Sequence, residues 1–538
     1  MRRTSLILPR FFLCCLAALV IGRGLAASTA APSAVSAGAP ARGASNLRDM
    51  LIVNEDNSHF FSSRSAAEMT VEGVQAMVDR YAGGAVTHFF LNPNAMRASF
   101  RSRTRDAIWD PVDGVEPDGL WPQNAKRLDQ AGIDPYAIWI RRCRDHGISP
   151  WISMRMNDVH GANEPANFMH STFWRTHPEF RRAPGGPTTP WVNQALNYKH
   201  AEVREHNLAF VRELLERYDP DGLELDWMRF GFHLTPGREA EEQGILSALV
   251  RDVRALTEAW AVRRGHPIRL GVRVPAHPDA AAGLGMNAVA WAKEGWVDLI
   301  VPCPFWTTSD FDIPVELWRE RLGEAADRTA VVPGFEHNLR AWPAGKSIAN
   351  DLASLRGFAA SARHRGADSL YLFNWMDSQT RPVGEEDYAH LIRDGLTDTA
   401  IAGRPRRHPV TYRDTVPADF SRGVQLPVEG LEGGTFRVWV GPRTGANHVS
   451  LVVGLAAREG MESAGFEATL NGQTVGPAVE LKDRRGLADT ARAWRFPCPV
   501  GAVRDGLNEF SVRQTSGTVS QQIVWAELRV NDASPLQP

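Results

Sequence analysis

Cysteine is scarce in this chain, net charge is nearly absent, and no hydrophobic run is long enough to span a bilayer comfortably. Of five cysteines in 538 residues, Cys14 and Cys15 sit close to the amino terminus, which leaves Cys143, Cys303 and Cys498. An odd set of three in so long a chain excludes a disulfide-built scaffold and implies at least one buried free thiol. A formal net charge of -2 and a pI near 6.8 provide no electrostatic footprint for nucleic acid or for an anionic membrane. His160 and His337 lack His-Glu-x-x-His or any comparable spacing, so neither a metal nor another cofactor is expected.

What is present begins with a leader. Arg2 and Arg3 precede an apolar run from Phe11 to Ile21, and small residues follow at Gly24, Ala26 and Ala27. That is the pattern of a secretory signal peptide, expected over 1–27, and it predicts a secreted or periplasmic protein without a membrane span. An Ala/Ser/Pro/Gly stretch follows and predicts a flexible linker over 28–46.

From 47 to 402 the chain alternates strand and helix patterns. Strands are expected at 51–54, 86–92, 148–157, 222–227, 268–274, 299–302, 330–336 and 369–374. The clearest helices place Leu208, Val211 and Leu215 on one face, and Ile245, Leu249, Val253, Leu256 and Trp260 on another. Eight such units over this length predict an α/β fold, a (β/α)8 TIM barrel. After 403 the helical period disappears and short strands alternate with Gly, Asn and Pro turns. Leu470-Asn471-Gly472-Gln473 is a hairpin signal, and residues 403–538 are expected to form a jelly-roll-like β-sandwich.

The fourth strand is the most informative. In Asp221-Gly222-Leu223-Glu224-Leu225-Asp226-Trp227, alternation puts Leu223 and Leu225 on one face and Glu224 and Asp226 on the other. Two carboxylates on the inner face of an apolar strand are costly without a partner or a purpose. They can be ion-paired to an arginine such as Arg229, or they can do chemistry. Active sites of barrels lie at the carboxyl ends of the strands, and those ends are polar here. They carry Asn54, Asp56, Asn92, Asn94, Arg155, Asn157, Asp158, Asp226, Arg273, Glu336, His337, Asn374 and Asp377, with Trp227, Trp306 and Trp375 among them as faces for a sugar ring. Arg273 reads as a substrate anchor, as the counter-ion of Asp226, or as both. Asn92-Pro93-Asn94 is also a turn signal.

Asp221 to Trp227 resembles the strand-four motif of family 18 chitinases, with Glu224 in place of an Asp. Those enzymes have their catalytic Glu directly after the Trp, where this chain has Met228. The wider run, from Leu196-Asn197-Tyr198 through Val203-Arg204-Glu205 and Phe210-Val211-Arg212-Glu213-Leu214 to Asp221-Gly222, resembles the glycosyl-hydrolase-like barrel proteins of bacteria. The resemblance implies a glycosidase barrel acting on a polysaccharide or oligosaccharide.

Glycoside cleavage uses two carboxyl groups. Asp226 is expected as nucleophile or charge stabiliser, and Glu336, among small and apolar neighbours that would raise its pKa, as acid/base. Glu224 would orient the pair from below. Arg155, Asn157, Asp158, Tyr198, Trp227, Arg273, Trp306, His337, Asn374 and Trp375 are the expected substrate contacts. The alternatives are a non-catalytic carbohydrate-binding barrel, or a polysaccharide lyase using Arg155, Tyr198 or His160.

Overall fold

The computed structural model describes residues 47–183, 189–305, 307–375, 384–414 and 422–532. The leader, the linker, Trp306 and Asp377 lie outside them.

The parallel strands β1 (Leu51–Glu55), β2 (His88–Leu91), β3 (Ser149–Arg155), β4 (Gly222–Asp226), β5 (Arg269–Pro275) and β6 (Leu299–Cys303) pair each with the next. Strand β7 comes in two segments, Ala330–Val331 and Gly334–Glu336, and β8 is Leu370–Phe373. The first segment of β7 pairs with β6 and the second with β8, which also pairs with β1, so the sheet closes on itself. Pro333 lies at the break. The ladder continues across it, since Val332 N donates to Ile300 O (2.9 Å) and Tyr371 N to Pro333 O (3.2 Å).

Alternation along each strand sorts the core into two layers. Ile52, Phe90, Trp151, Leu299, Val301, Tyr371 and Phe373 fill the barrel. Leu51, Phe89, Ile152, Leu223, Leu225, Val272 and Leu372 face the helices, including α1 (Ala201–Arg217) and α2 (Gln243–Arg264), where Val211, Leu215, Leu249 and Val253 are buried. Trp151 stacks on Phe90 at 4.7 Å and leans across β4, where a Cβ on Gly222 would lie 2.4 Å from its ring. Gly222 thus makes room for the floor beneath Glu224 and Asp226.

Beyond the barrel the chain is antiparallel β. One sheet runs in the order β9 (Arg406–Pro409), β18 (Gln522–Val530), β12 (Val449–Leu455), β16 (Arg492–Cys498), β15 (Val479–Glu480), with β10 (Val428–Glu429) also on β18. The other runs β11 (Gly434–Trp439), β17 (Leu507–Gln514), β13 (Phe466–Leu470), β14 (Gln473–Thr474). Asn471 and Gly472 form the β13–β14 turn with φ of 52° and 81°, the left-handed pair that an Asn-Gly hairpin uses. Among the described residues no helix is long and apolar enough to cross a membrane.

Candidate active site

Register places the polar residues in tiers. Ser153, Glu224 and Gly271 share one level of the barrel, and Arg155, Asp226 and Arg273 the next. At the upper level Arg273 grips Asp226 with both arms of its fork, Nε to Oδ1 at 2.9 Å and Nη2 to Oδ2 at 2.8 Å. The chain turns over Asp226, so that the Met228 and Arg229 amides also donate to Oδ1, each at 3.0 Å. Oδ1 therefore has three donors and Oδ2 one. Arg273 spends Nη1 on Cys303 Sγ (3.4 Å) and stacks its guanidinium over Phe373 at 3.9 Å. The counter-ion of Asp226 is thus Arg273 rather than Arg229.

Glu336 lies across that link. Burial pushes the Cys303 thiol up to about 12 against the pull of Arg273, and both Glu336 and Asp226 are close enough to add to the rise. Glu336 accepts from the His337 amide (3.0 Å) and from Asn374 Nδ2 (2.9 Å), and His337 Nδ1 lies 2.6 Å from the same carboxylate. Its surroundings are polar on that side, which corrects the expectation of an apolar pocket. Asn374 reaches it because its φ of 60° turns the chain at the end of β8.

Glu224 lies one tier lower. Its Oε2 accepts from Ser153 Oγ (2.5 Å) and Tyr371 Oη (2.9 Å), while Oε1 finds no partner among the described residues. Burial, and then the Asp226 charge above it, push the Glu224 carboxyl up to about 7. A carboxyl raised in the folded chain keeps its proton where the unfolded chain, with an ordinary value of 4.5, has lost it. Stability from this group is therefore full below about 4.5 and is lost as pH rises through about 7. Glu224→Gln, which cannot ionise, should gain on the wild type between pH 5 and pH 8 by on the order of 2–3 kcal/mol. Denaturant unfolding at both pH values measures this, and an identical offset at the two would refute it.

A second cluster borders the first. Arg155 bridges Asp56 and Asp158 (3.0 Å to the latter), and His160 Nδ1 and the His160 amide meet the other Asp158 oxygen at 2.8 and 3.0 Å. Burial would raise both aspartates. Arg155 and Arg229 hold Asp56 well below the usual carboxylate range, and His160 and Arg155 do so for Asp158. Arg229 Nη2 lies 3.1 Å from His160 Nε2, and a guanidinium can only donate.

Four expected substrate contacts are placed elsewhere. Trp227 is fully buried on the helix-facing side against Tyr198, His233 and Trp291. Trp375 is fully buried against Phe335. Tyr198 donates its hydroxyl to Met156 O (2.5 Å) and has no exposed surface. Asn157 staples loops, with Nδ2 donating to Leu196 O and Phe232 O and Oδ1 accepting from Leu196 N. Trp306 lies outside the described residues.

The residues overlooked in the sequence are Ser153, Cys303, Tyr371 and Phe373, all signalled by alternation, and a set of loop aromatics signalled by nothing periodic. Met96, Val159, Ala162, Trp174, Met228, Phe232 and Phe305 form an apolar layer on the loops that follow the strands. Beneath it Asp226 is 2% exposed and Glu336 0%. A cleft of about 410 Å³, bordered by His160 and Arg229, opens beside Arg229.

No protein-family profile and no curated protein matches the chain. Several solved structures are similar to it. The cycloisomaltooligosaccharide glucanotransferase of a Paenibacillus species, complexed with cycloisomaltoheptaose, aligns with 10% identity over 88% of this chain and 57% of its own, at a TM-score of 0.34. The alpha-L-fucosidase isoenzyme 2 of Paenibacillus thiaminolyticus aligns with 14% identity over 64% and 49%, at 0.40. The endo-beta-1,4-mannanase of Thermotoga petrophila aligns with 10% identity over 89% and 97%, at 0.41. The chain spans about half the length of the first two. Each of the three is named as an enzyme acting on carbohydrate.

Proposed function

We propose that this chain is an exported glycoside hydrolase that cleaves a polysaccharide or oligosaccharide at the carboxyl-terminal mouth of its barrel. The observation that carries the reading is the uneven solvation of Asp226, whose Oδ1 is held by three donors while Oδ2 has only Arg273. Each carboxylate oxygen carries two lone pairs, so Oδ2, with Arg273 as its one donor, keeps a lone pair fixed in direction. That suits a nucleophile or a stabiliser of positive charge at an anomeric carbon. Glu336, oriented on both oxygens by the His337 amide and Asn374 Nδ2, takes the acid/base role.

The lyase reading loses its phenol, since Tyr198 is committed to Met156 O. Incubating the protein with plant, algal and bacterial glycans should release new reducing ends without unsaturated products. Unsaturated ends would overturn the hydrolase reading in favour of elimination, and the absence of any product across the panel would favour the non-catalytic barrel.

A further inference from the structure

The cleft beside the Asp226–Arg273 pair has an unusual combination of walls. Trp191 and Phe305 stack at 5.9 Å with 12° between their planes, and Phe230 meets Trp191 edge-on at 5.3 Å. Phe230 adopts a φ of 64°, a region bulky residues avoid, and this places its ring on the lining. The guanidinium on the same lining is that of Arg229. The other mouth arginines are each paired, Arg155 with Asp56 and Asp158, and Arg273 with Asp226. Arg229 makes no ion pair among the described residues. It gives Nη2 to His160, and its Nε is buried without a partner. Burial and then Arg155 push its pKa down, with Asp56 and Asp158 compensating only in part. Glu164, the one carboxylate on the lining among the described residues, is exposed and accepts from Asn167.

A buried guanidinium that no carboxylate contacts directly, and whose burial Asp56 and Asp158 offset only in part, is a costly arrangement that an incoming anion would relieve. Its planar fork matches a carboxylate, and the adjoining rings offer apolar faces to the C–H groups of a pyranose. We infer that the cleft is a subsite for a uronic acid unit, with Arg229 taking the ring carboxylate and the aromatic walls taking the ring. This inference rests on the glycosidase reading of the mouth and names its substrate class, an acidic glycan.

Calorimetric titration of the full chain with oligosaccharides of galacturonate, glucuronate and mannuronate tests it, each compared with the same compound after its carboxyls are reduced to alcohols. At least one acidic form should bind about 10- to 100-fold more tightly than its reduced partner, the range for a charge-assisted pair. Arg229→Met should bring the two within about twofold. Arg229→Lys, which keeps the charge and loses the fork, should retain an intermediate preference and covers the case in which the Met variant folds poorly. Equal affinity for both forms, no binding of any acidic probe, or a preference that survives in Arg229→Met would overturn the inference. Because the readout is binding, failure here with neutral glycans still hydrolysed would leave the hydrolase reading standing. Acidic preference without hydrolysis of any glycan would do the reverse.

Discussion

Glu336→Gln and Asp226→Asn should each lower kcat on the identified glycan by about a thousandfold or more. Removing a nucleophile or an acid/base costs orders of magnitude, whereas a weakened binding contact costs far less. Steady-state kinetics with natural and activated leaving groups separates the roles. If Glu336 is the proton donor, its Gln variant should recover much of its rate on a substrate whose leaving group needs no protonation, while the Asp226 variant should stay slow on both. Near-wild-type turnover in both variants would end the two-carboxylate mechanism.

The second large effect is on stability. Arg273 has no exposed surface, and Asp226 is its only ion-pair partner among the described residues. Arg273→Met should cost about 3–5 kcal/mol, because the buried carboxylate would keep its two backbone amides and lose its counter-charge. Asp226→Asn should also destabilise the chain, by leaving Arg273 facing a neutral amide, so its lost turnover must be read on protein shown to be folded. Combining Arg273→Met with Asp226→Leu removes both charges and should cost less than the sum of the single changes. Denaturant unfolding of Arg273→Met, Asp226→Leu, the double variant and the wild type measures the coupling, and additive costs would show that the pair does not act as a unit.

The barrel was legible in the sequence because each strand is a short apolar run and the helices keep a 3.6-residue period. The inner carboxylates were legible for the same reason, since Glu224 and Asp226 share a parity and Arg273 stands level with Asp226 on the next strand. Parity also contained the answer for Trp227, which continues the Leu223–Leu225 face and so points at the helices. Its polar neighbours suggested a platform instead. Asn374 escapes parity because its positive φ redirects it toward Glu336. The cleft could not have been read at all. Trp191, Phe230 and Phe305 come from loops after different strands, and only the folded chain brings their rings within about 6 Å of one another.

The closure of the sheet has a consequence in time as well as in space. Ser369, just before β8, donates its hydroxyl to Met50 O just before β1, across 319 residues of chain. Contacts this distant in sequence form late, after the intervening loop has been gathered in. Without β8 between β1 and β7, the seven earlier strands would form an open sheet in which β1 and β7 each present an unsatisfied edge. Such edges invite pairing with another chain. The last barrel strand is therefore what turns an aggregation-prone sheet into a molecule with no free barrel edge, and Leu370–Phe373 carries that role in only four residues.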